Sequence, residues 1–216
     1  MNDGPRDHWP LRDLVLRTPR LELRPDDDAG LDGLVEVAYE GVHPPEEMPF
    51  MVPWTDADPR YLGRGMLQYF WSQRATLAPE SWTVNFVVRL EGRVVGTQGL
   101  TGRDFAITRE VTSGSWLGLA HHGRGYGTEM RAAVLLFAFD HLAAVRARSD
   151  AFADNHASLR VSAKLGYRPD GSETVVRRGA RTVDVRLVLD AGDFRRPDWE
   201  LRTEGVDGCR GLLGAA

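Results

Sequence analysis

The chain has 216 residues, 42% of them hydrophobic, enough for one large domain or two very small ones. Asp and Glu number 31 against 27 for Lys and Arg, and the formal charge of −4 argues against a general binder of nucleic acid or acidic membrane, which carries a basic excess. A single cysteine, Cys209, permits neither an intrachain disulfide nor a thiolate zinc cage.

The longest apolar run, Ala132–Phe139, falls far short of the ~20 residues of a membrane span. Residues 1–5 lack the basic-then-apolar order of a signal peptide, so a soluble, cytoplasmic protein is expected. Lys164 is the only lysine; an arginine bias of this kind reflects composition and says little about a site.

In chain order, Leu14–Arg24 alternates apolar and polar residues and reads as strand. Asp26–Gly41 follows as a helix, with Leu31, Leu34, Val35 and Ala38 at helical spacing behind an Asp-rich start. His43–Pro59 carries five prolines and reads as irregular loop. Within it, Met48–Trp54 places large apolar groups where no regular element buries them, which makes Phe50 and Trp54 candidates for lining a ligand pocket. Arg60–Thr76 reads as helix. Thr83–Arg89 and Val94–Leu100 flank a Glu91-Gly92 turn and are expected to pair as an antiparallel hairpin. Glu110–Leu119 is a third strand. Arg124–Leu142 is the strongest helix, apolar nearly all round its middle, as expected under a sheet. Val145–Phe152 reads as strand, Asn155–Leu165 as helix, and Thr174–Arg178 with Val183–Leu189 as a closing hairpin. The tail after Ala191 shows no clear period. These elements predict an α/β (α+β) single domain over residues 14–190 with a C-terminal extension, 191–216. Its sheet is mixed, mostly antiparallel, with helices on both faces.

The densest chemical signal is the run Trp116 to Glu129, WLGLAHHGRGYGTE. A strand ends, Gly123, Gly125 and Gly127 alternate, and a long helix starts at once. Such a turn can tolerate positive φ, admits a ligand close to its backbone, and leaves the helix's first N–H groups pointing outward with the positive end of its dipole behind them. A dinucleotide fold wants G-x-G-x-x-G, and a P-loop wants Gly-Lys-Ser/Thr; neither fits. A plain packing turn and an acyl-CoA pyrophosphate site both remain.

Residues 122–127 with Thr128 and Glu129 resemble the Q/R-x-x-G-x-G/A signature of the GNAT N-acyltransferase superfamily. The stretch Asp154 to Tyr167, DNHASLRVSAKLGY, is similar to that family's second cofactor-binding segment, in the form found in the branch that acetylates ribosomal-protein N-termini. Thr18-Pro19-Arg20-Leu21 also resembles that branch, and the likeness spans about Leu16 to Leu189. The sequence departs from the pattern at His122, where the family has Gln or Arg, and at Ser162, where it often has a catalytic Tyr. The Met48–Trp54 loop, the tail and the His8–Leu11 opening are similar to actinobacterial-type members, some of which accept succinyl-CoA.

The resemblance implies acetyl-CoA or succinyl-CoA as co-substrate and an amine acceptor: a protein N-terminus, a lysine or a small amine. It places the pantetheine arm on the backbone of Ser115–Leu119, including Trp116, Leu117 and Leu119, with the amide near Leu117 facing the acyl oxygen. The diphosphate falls on His122, Gly123, Arg124, Gly125, Tyr126, Gly127 and Thr128. Asn155 either caps its helix or holds the cofactor arm, and Ser158 and Lys164 lie near the expected path of the adenosine 3′-phosphate.

A thiol titrates near ~8.5 and an α-amine near ~8, so neither departure nor attack needs a powerful acid or base. A hydroxyl such as Ser162 suffices as proton donor, with Tyr167 as a rival expected in the core. Glu110 and Asp150 are the candidate bases. The six histidines show no paired helical ligand spacing, so no metal is expected. Nucleic acid and membrane are not expected as partners, and a homo-oligomer stays open. A non-catalytic acyl-CoA-binding or partner-binding domain is the alternative to an enzyme.

Overall fold

The computed structural model describes residues 8–215. Pro19 interrupts the first expected strand, which becomes two: β1 (Val15–Arg17) and β2 (Leu21–Pro25) fold back antiparallel with Leu16 opposite Leu23. Asp27 caps the first helix, α1 (Asp28–Glu40), its carboxylate accepting from the Gly30 amide at 2.6 Å. After the proline-rich loop, Asp58 caps α2 (Pro59–Ala75), which has proline in the first turn, where no N–H is missed. The hairpin forms as expected but longer, β3 (Ser81–Leu90) against β4 (Arg93–Arg103). A short helix, α3 (Phe105–Thr108), leads into β5 (Glu110–Leu117).

The strongest predicted helix is α4 (Tyr126–Leu136), continued by a wider π turn over Phe137–His141. It crosses back to β6 (Arg146–Phe152), which runs parallel to β5 as such a crossover allows. Then come α5 (His156–Leu165), β7 (Arg168–Arg177) and β8 (Ala180–Asp190). The tail, which lacked any period, forms β9 (Arg202–Glu204) and α6 (Val206–Arg210).

The sheet order is β7-β8-β6-β5-β4-β3-β2-β1-β9, antiparallel at every junction except β5–β6. That junction is also where the sheet divides. β5 and β6 pair only over Glu110↔Arg146, Val111↔Ala147 and Thr112↔Arg148. Beyond Thr112, β5 stays on β4 as far as Leu117↔Gly96, and β6 stays on β8 as far as Phe152↔Asp184. The two halves therefore part in the middle of the sheet, and Thr112 and Gly114 are exposed on what would otherwise be a central strand.

Helices cover both faces. α4 and α5 lie over the larger core, around Phe86, Phe137, Leu100 and Leu135; α1 and α2 lie over a smaller one, around Leu31, Leu34, Met66 and Phe70. The tail is part of this body: β9 extends the sheet edge beside β1, and Phe194, Cys209, Leu213 and Ala215 are buried in the larger core. Among the described residues no helix is long and apolar enough to cross a membrane.

Candidate active site

The glycine turn sits at the mouth of the split. After β5, a 3-10 turn (Leu119–His121) leads to Gly123 at φ 72° and Gly125 at φ 84°, both in the left-handed region that only glycine enters cheaply. Thr128 and Glu129 donate back to the Gly125 carbonyl at 3.1 Å each. The five amides before them, from Gly123 to Gly127, meet no acceptor among the described residues, and a side chain at Gly123 would point into open space. Five successive free N–H groups at a helix N-terminus form a cradle for an anion such as a diphosphate. His122 takes no part through its ring, whose Nε2 lies 3.0 Å from the Leu117 carbonyl and ties the turn to the end of β5.

The turn is braced from behind by residues outside its own segment. Glu129, only 7% exposed, receives Thr18 Oγ1 at 2.5 Å, the Arg20 amide at 3.1 Å and Arg20 Nε at 2.6 Å. Arg20 Nη1 holds the Arg124 carbonyl at 3.1 Å, and its guanidinium lies over the Tyr126 ring at 4.5 Å. The Thr18–Leu21 motif, which the sequence shows only as a mark of resemblance, thus has a physical role. It turns one carbonyl of the turn inward and leaves the amides facing out.

The backbone phase of β5 can be read from its end. Gly118 donates to the Val95 carbonyl at 2.9 Å, so antiparallel alternation directs Gly114 and Trp116 toward β4 and Ser115 and Leu117 into the split. Ser149 Oγ, 3.5 Å from the Ser113 carbonyl across the gap, agrees with that phase. The Ser115 and Leu117 amides therefore face the open side, where an extended chain can add as a strand.

Two faces meet the split. On the α4/α5 face Arg131 is 4% exposed; its Nη1 donates to Ser162 Oγ at 2.9 Å, and Nη2 reaches Ser115 Oγ at 3.4 Å. Tyr167 is buried beside this group, and burial pushes its hydroxyl's pKa up. On the opposite face, His43, Phe50, Trp54 and Trp116 form a chain of ring contacts with centroids 5.7, 5.1 and 5.5 Å apart. Across the gap, Arg177 lies 4.5 Å over Phe152. Asp150 stands open on this face. Partial desolvation by the surrounding walls raises its pKa, Arg131 opposes the rise and Glu173 adds to it.

The tip of the β7–β8 hairpin fixes the proline-rich loop above this face. Arg177 bonds Asp154 at 2.8 and 2.6 Å and the Met48 carbonyl at 3.2 Å. Arg178 grips Asp56 at 2.7 and 2.5 Å and the Pro45 and Glu47 carbonyls at 3.2 Å each.

Of the expected site residues, Trp116, Leu117 and the turn from His122 to Thr128 come together, with Leu119 exposed in the linking 3-10 turn. Phe50 and Trp54 meet the same strand through Trp116. Asn155 caps α5, its Oδ1 accepting from the Ser158 amide at 3.1 Å; Lys164 is exposed on that helix. Glu110 is a correction. It lies at the closed end of the split, held by Arg148 at 2.6 Å and Arg146 at 3.3 Å, and the Arg148 contact leads in holding its pKa down. Seven residue steps of strand, roughly 23 Å at ~3.3 Å per step, separate it from Leu117, too far to act as base for chemistry at that amide. Arg131 and Arg177 carry the geometry but gave no sequence signal as site residues, whereas Arg20 and Glu129 appeared only as parts of the two motifs and not as a pair.

A split sheet with a free-amide turn at its mouth is the frame of an acyl-CoA-binding domain, and the family comparison agrees. The model of the acetyltransferase (GNAT) domain matches residues 20–168, and the chain belongs to that family. Its fold is similar to that of RimJ from Mycobacterium smegmatis, solved with CoA-disulfide: TM-score 0.69, 18% identity, covering 94% of this chain and 95% of that one. It is also similar to RimL, a ribosomal L7/L12 alpha-N-protein acetyltransferase solved with coenzyme A: TM-score 0.63, 12% identity, 82% and 97% covered. A chimera of the spermidine N-acetyltransferase SpeG from Vibrio cholerae and hSSAT matches with TM-score 0.62 and 15% identity, 80% and 96% covered. At these identities the structures share the fold.

Proposed function

We propose that this chain moves an acetyl group from acetyl-CoA to a primary amine by direct attack in a ternary complex. The observation that carries the reading is the run of five unpaired amides from Gly123 to Gly127 at the mouth of the split. In this reading the turn holds the diphosphate, and Asn155, Ser158 and Lys164 flank the adenosine end. The Ser115 backbone receives the pantetheine arm, and the Leu117 amide donates to the thioester oxygen as charge develops there. The new N–C bond forms on the face of Trp54 and Trp116, and the C–S bond breaks with its electron pair leaving on sulfur. Asp150 takes the amine's proton through water: it is open to this face, and its raised pKa makes it a better base than an ordinary aspartate. Ser162 lies on the leaving-group side.

The acceptors proposed are a protein N-terminus, a lysine side chain or a small amine. Asp150, Glu173 and Asp184 carry no ion pair within 4.0 Å among the described residues, which favours a cationic amine. A ribosomal-protein α-amine and spermidine, named with the similar structures, are the first to try. The cytoplasm is the proposed location, since acyl-CoA and amine acceptors coexist there.

The test is release of free CoA from acetyl-CoA across a panel of amines, with succinyl-CoA, the other donor the sequence resemblance implies, competing in the same assay. Amine-dependent release is expected. A preference for succinyl-CoA of tenfold or more in kcat/KM would replace the donor, and tight acyl-CoA binding with no turnover on any amine would favour a non-catalytic domain.

A further inference from the structure

Arg131 is a cation in the wrong place for stability. Its side chain is buried between α4, α5 and β5, and among the described residues its Nε meets no acceptor and no carboxylate lies within ion-pair distance. Its two hydrogen bonds go to neutral hydroxyls, Ser162 Oγ and Ser115 Oγ. Burial pulls its pKa down, and only Tyr167 and Asp150 act at a distance to raise it. Burying a guanidinium without a carboxylate costs several kcal/mol, which apolar residues of the same volume would avoid. Beside it, Tyr167 Oη and Ser113 Oγ neighbour each other without a well-formed hydrogen bond among the described residues. A buried, uncompensated positive charge beneath an open split points to negative charge that arrives only with the ligand.

The hydrogen-bond directions say how that charge is delivered. A guanidinium can only donate, so both serine oxygens act as acceptors toward Arg131. Neither hydroxyl proton is used elsewhere among the described residues. Ser115 is partly exposed on the open half of β5, two residues before Leu117; Ser162, 1% exposed, lies behind it on α5, where the sequence resemblance places a tyrosine.

We propose that Arg131 is a positioning residue that presents its charge through the Ser162 and Ser115 hydroxyls to the sulfur of the departing CoA, stabilising it as thiolate. The inference rests on the acyl-transfer reading of the split. The balance is simple: the amine nitrogen bonds the carbonyl carbon, the C–S bond breaks, and its electron pair stays on sulfur. The serine O–H groups donate hydrogen bonds to that sulfur without giving up their protons, and the amine's proton leaves on the opposite face. The charged and titratable groups facing this point are Arg131 from α4, Asp150 from β6 and Tyr167 at the start of the β7 arm.

The test reads the thiol of bound CoA, by ultraviolet titration of its thiolate in complexes of the full chain. Bound to the wild type, the thiol is expected to titrate at least one unit below its solution value of ~8.5. Arg131→Met should abolish that shift, Arg131→Lys should keep much of it, and Ser162→Ala should reduce it. Arg131→Met should also lower kcat about 100-fold with KM for acetyl-CoA little changed, without lowering the melting temperature, because the replacement removes a buried charge. A wild-type thiol titrating at its solution value overturns the proposal, as does an Arg131→Met variant that keeps the shift. A shift abolished by Tyr167→Phe and untouched by Ser162→Ala overturns the route through serine. Activity lost by Arg131→Met only with dicarboxylic acyl donors assigns the cation to the acyl group instead. If CoA does not bind the wild type at all, the acyl-transfer reading falls, and this inference falls with it.

Discussion

The two banks of the split are built on different principles. The bank proposed for the donor, from Ser115 to Gly127, presents backbone: free amides set by strand phase and by two positive-φ glycines. The bank proposed for the acceptor presents side chains, the Phe50, Trp54 and Trp116 rings, held by arginine contacts between segments more than 120 residues apart, such as Arg178 to Asp56. A backbone site tolerates side-chain change but not a change of conformation, which is why His122 can stand in place of Gln or Arg while its ring bonds the Leu117 carbonyl. A site of side chains behaves in the opposite way. The donor bank should therefore fail all at once, and the acceptor bank by degrees.

The sharpest break is Gly125→Val. At φ 84° a β-branched residue is strained, and its methyl groups would stand among the amides the anion needs. The nearest existing atom, Arg20 Nη2 at 3.4 Å, belongs to a flexible side chain, so the fold should survive with a lowered melting temperature. Acyl-CoA affinity should fall at least about a thousand-fold, ~4 kcal/mol. Calorimetry showing donor affinity within a few-fold of wild type would remove the turn from the site.

What could be read in advance follows the same division. Gly123, Gly125 and Gly127 before a long helix are local, and a local backbone pattern survives in sequence. The succession of elements along the chain was legible from periodicity and the Glu91-Gly92 turn, except that Pro19 divides the first strand in two. The split itself was not, because it depends on where β6 stops pairing with β5, a fact of three-dimensional register. The role of the hairpin tip was hidden for a similar reason: Arg177 and Arg178 look like any arginines in an arginine-rich chain until Asp154, Asp56 and the loop carbonyls are brought to them. The tail misled because Cys209, Leu213 and Ala215 reach the core from separate turns rather than from one periodic element.

The scaffold under the acceptor bank also carries a pH dependence. Arg74 of α2 approaches Asp26 at 2.9 Å, but off the line a hydrogen bond needs, so the pair offsets burial only in part. Burial raises the Asp26 pKa from an ordinary 3.8 to about 6, against the pull of Arg74. A raised folded pKa means that the group's favourable contribution is complete below pH ~3.8 and is lost as pH rises through about 6. Asp26→Asn removes this titration. Relative to the variant, the wild type should lose up to ~3 kcal/mol of unfolding free energy between pH 4 and pH 7. Denaturant melts at both pH values check it; a wild-type-minus-variant difference that stays flat would show that the carboxyl titrates normally.

The smallest expected effect is the most informative about the acceptor bank. Arg178 makes four contacts that tie the loop to the hairpin, all of them near the surface. Exposed ion pairs contribute about 0–1 kcal/mol, so Arg178→Ala should barely move the melting temperature. The loop it holds carries Phe50 and Trp54, and freeing that loop loosens the wall against which the amine is oriented. KM for the amine is expected to rise about tenfold, ~1.4 kcal/mol, with acyl-CoA affinity unchanged. Because the contact is screened by ions, raising salt should weaken amine binding in the wild type more than in the variant, until the two converge. Equal losses of donor and amine affinity would mean that the hairpin tip supports the whole split, and the two banks would then not be separable.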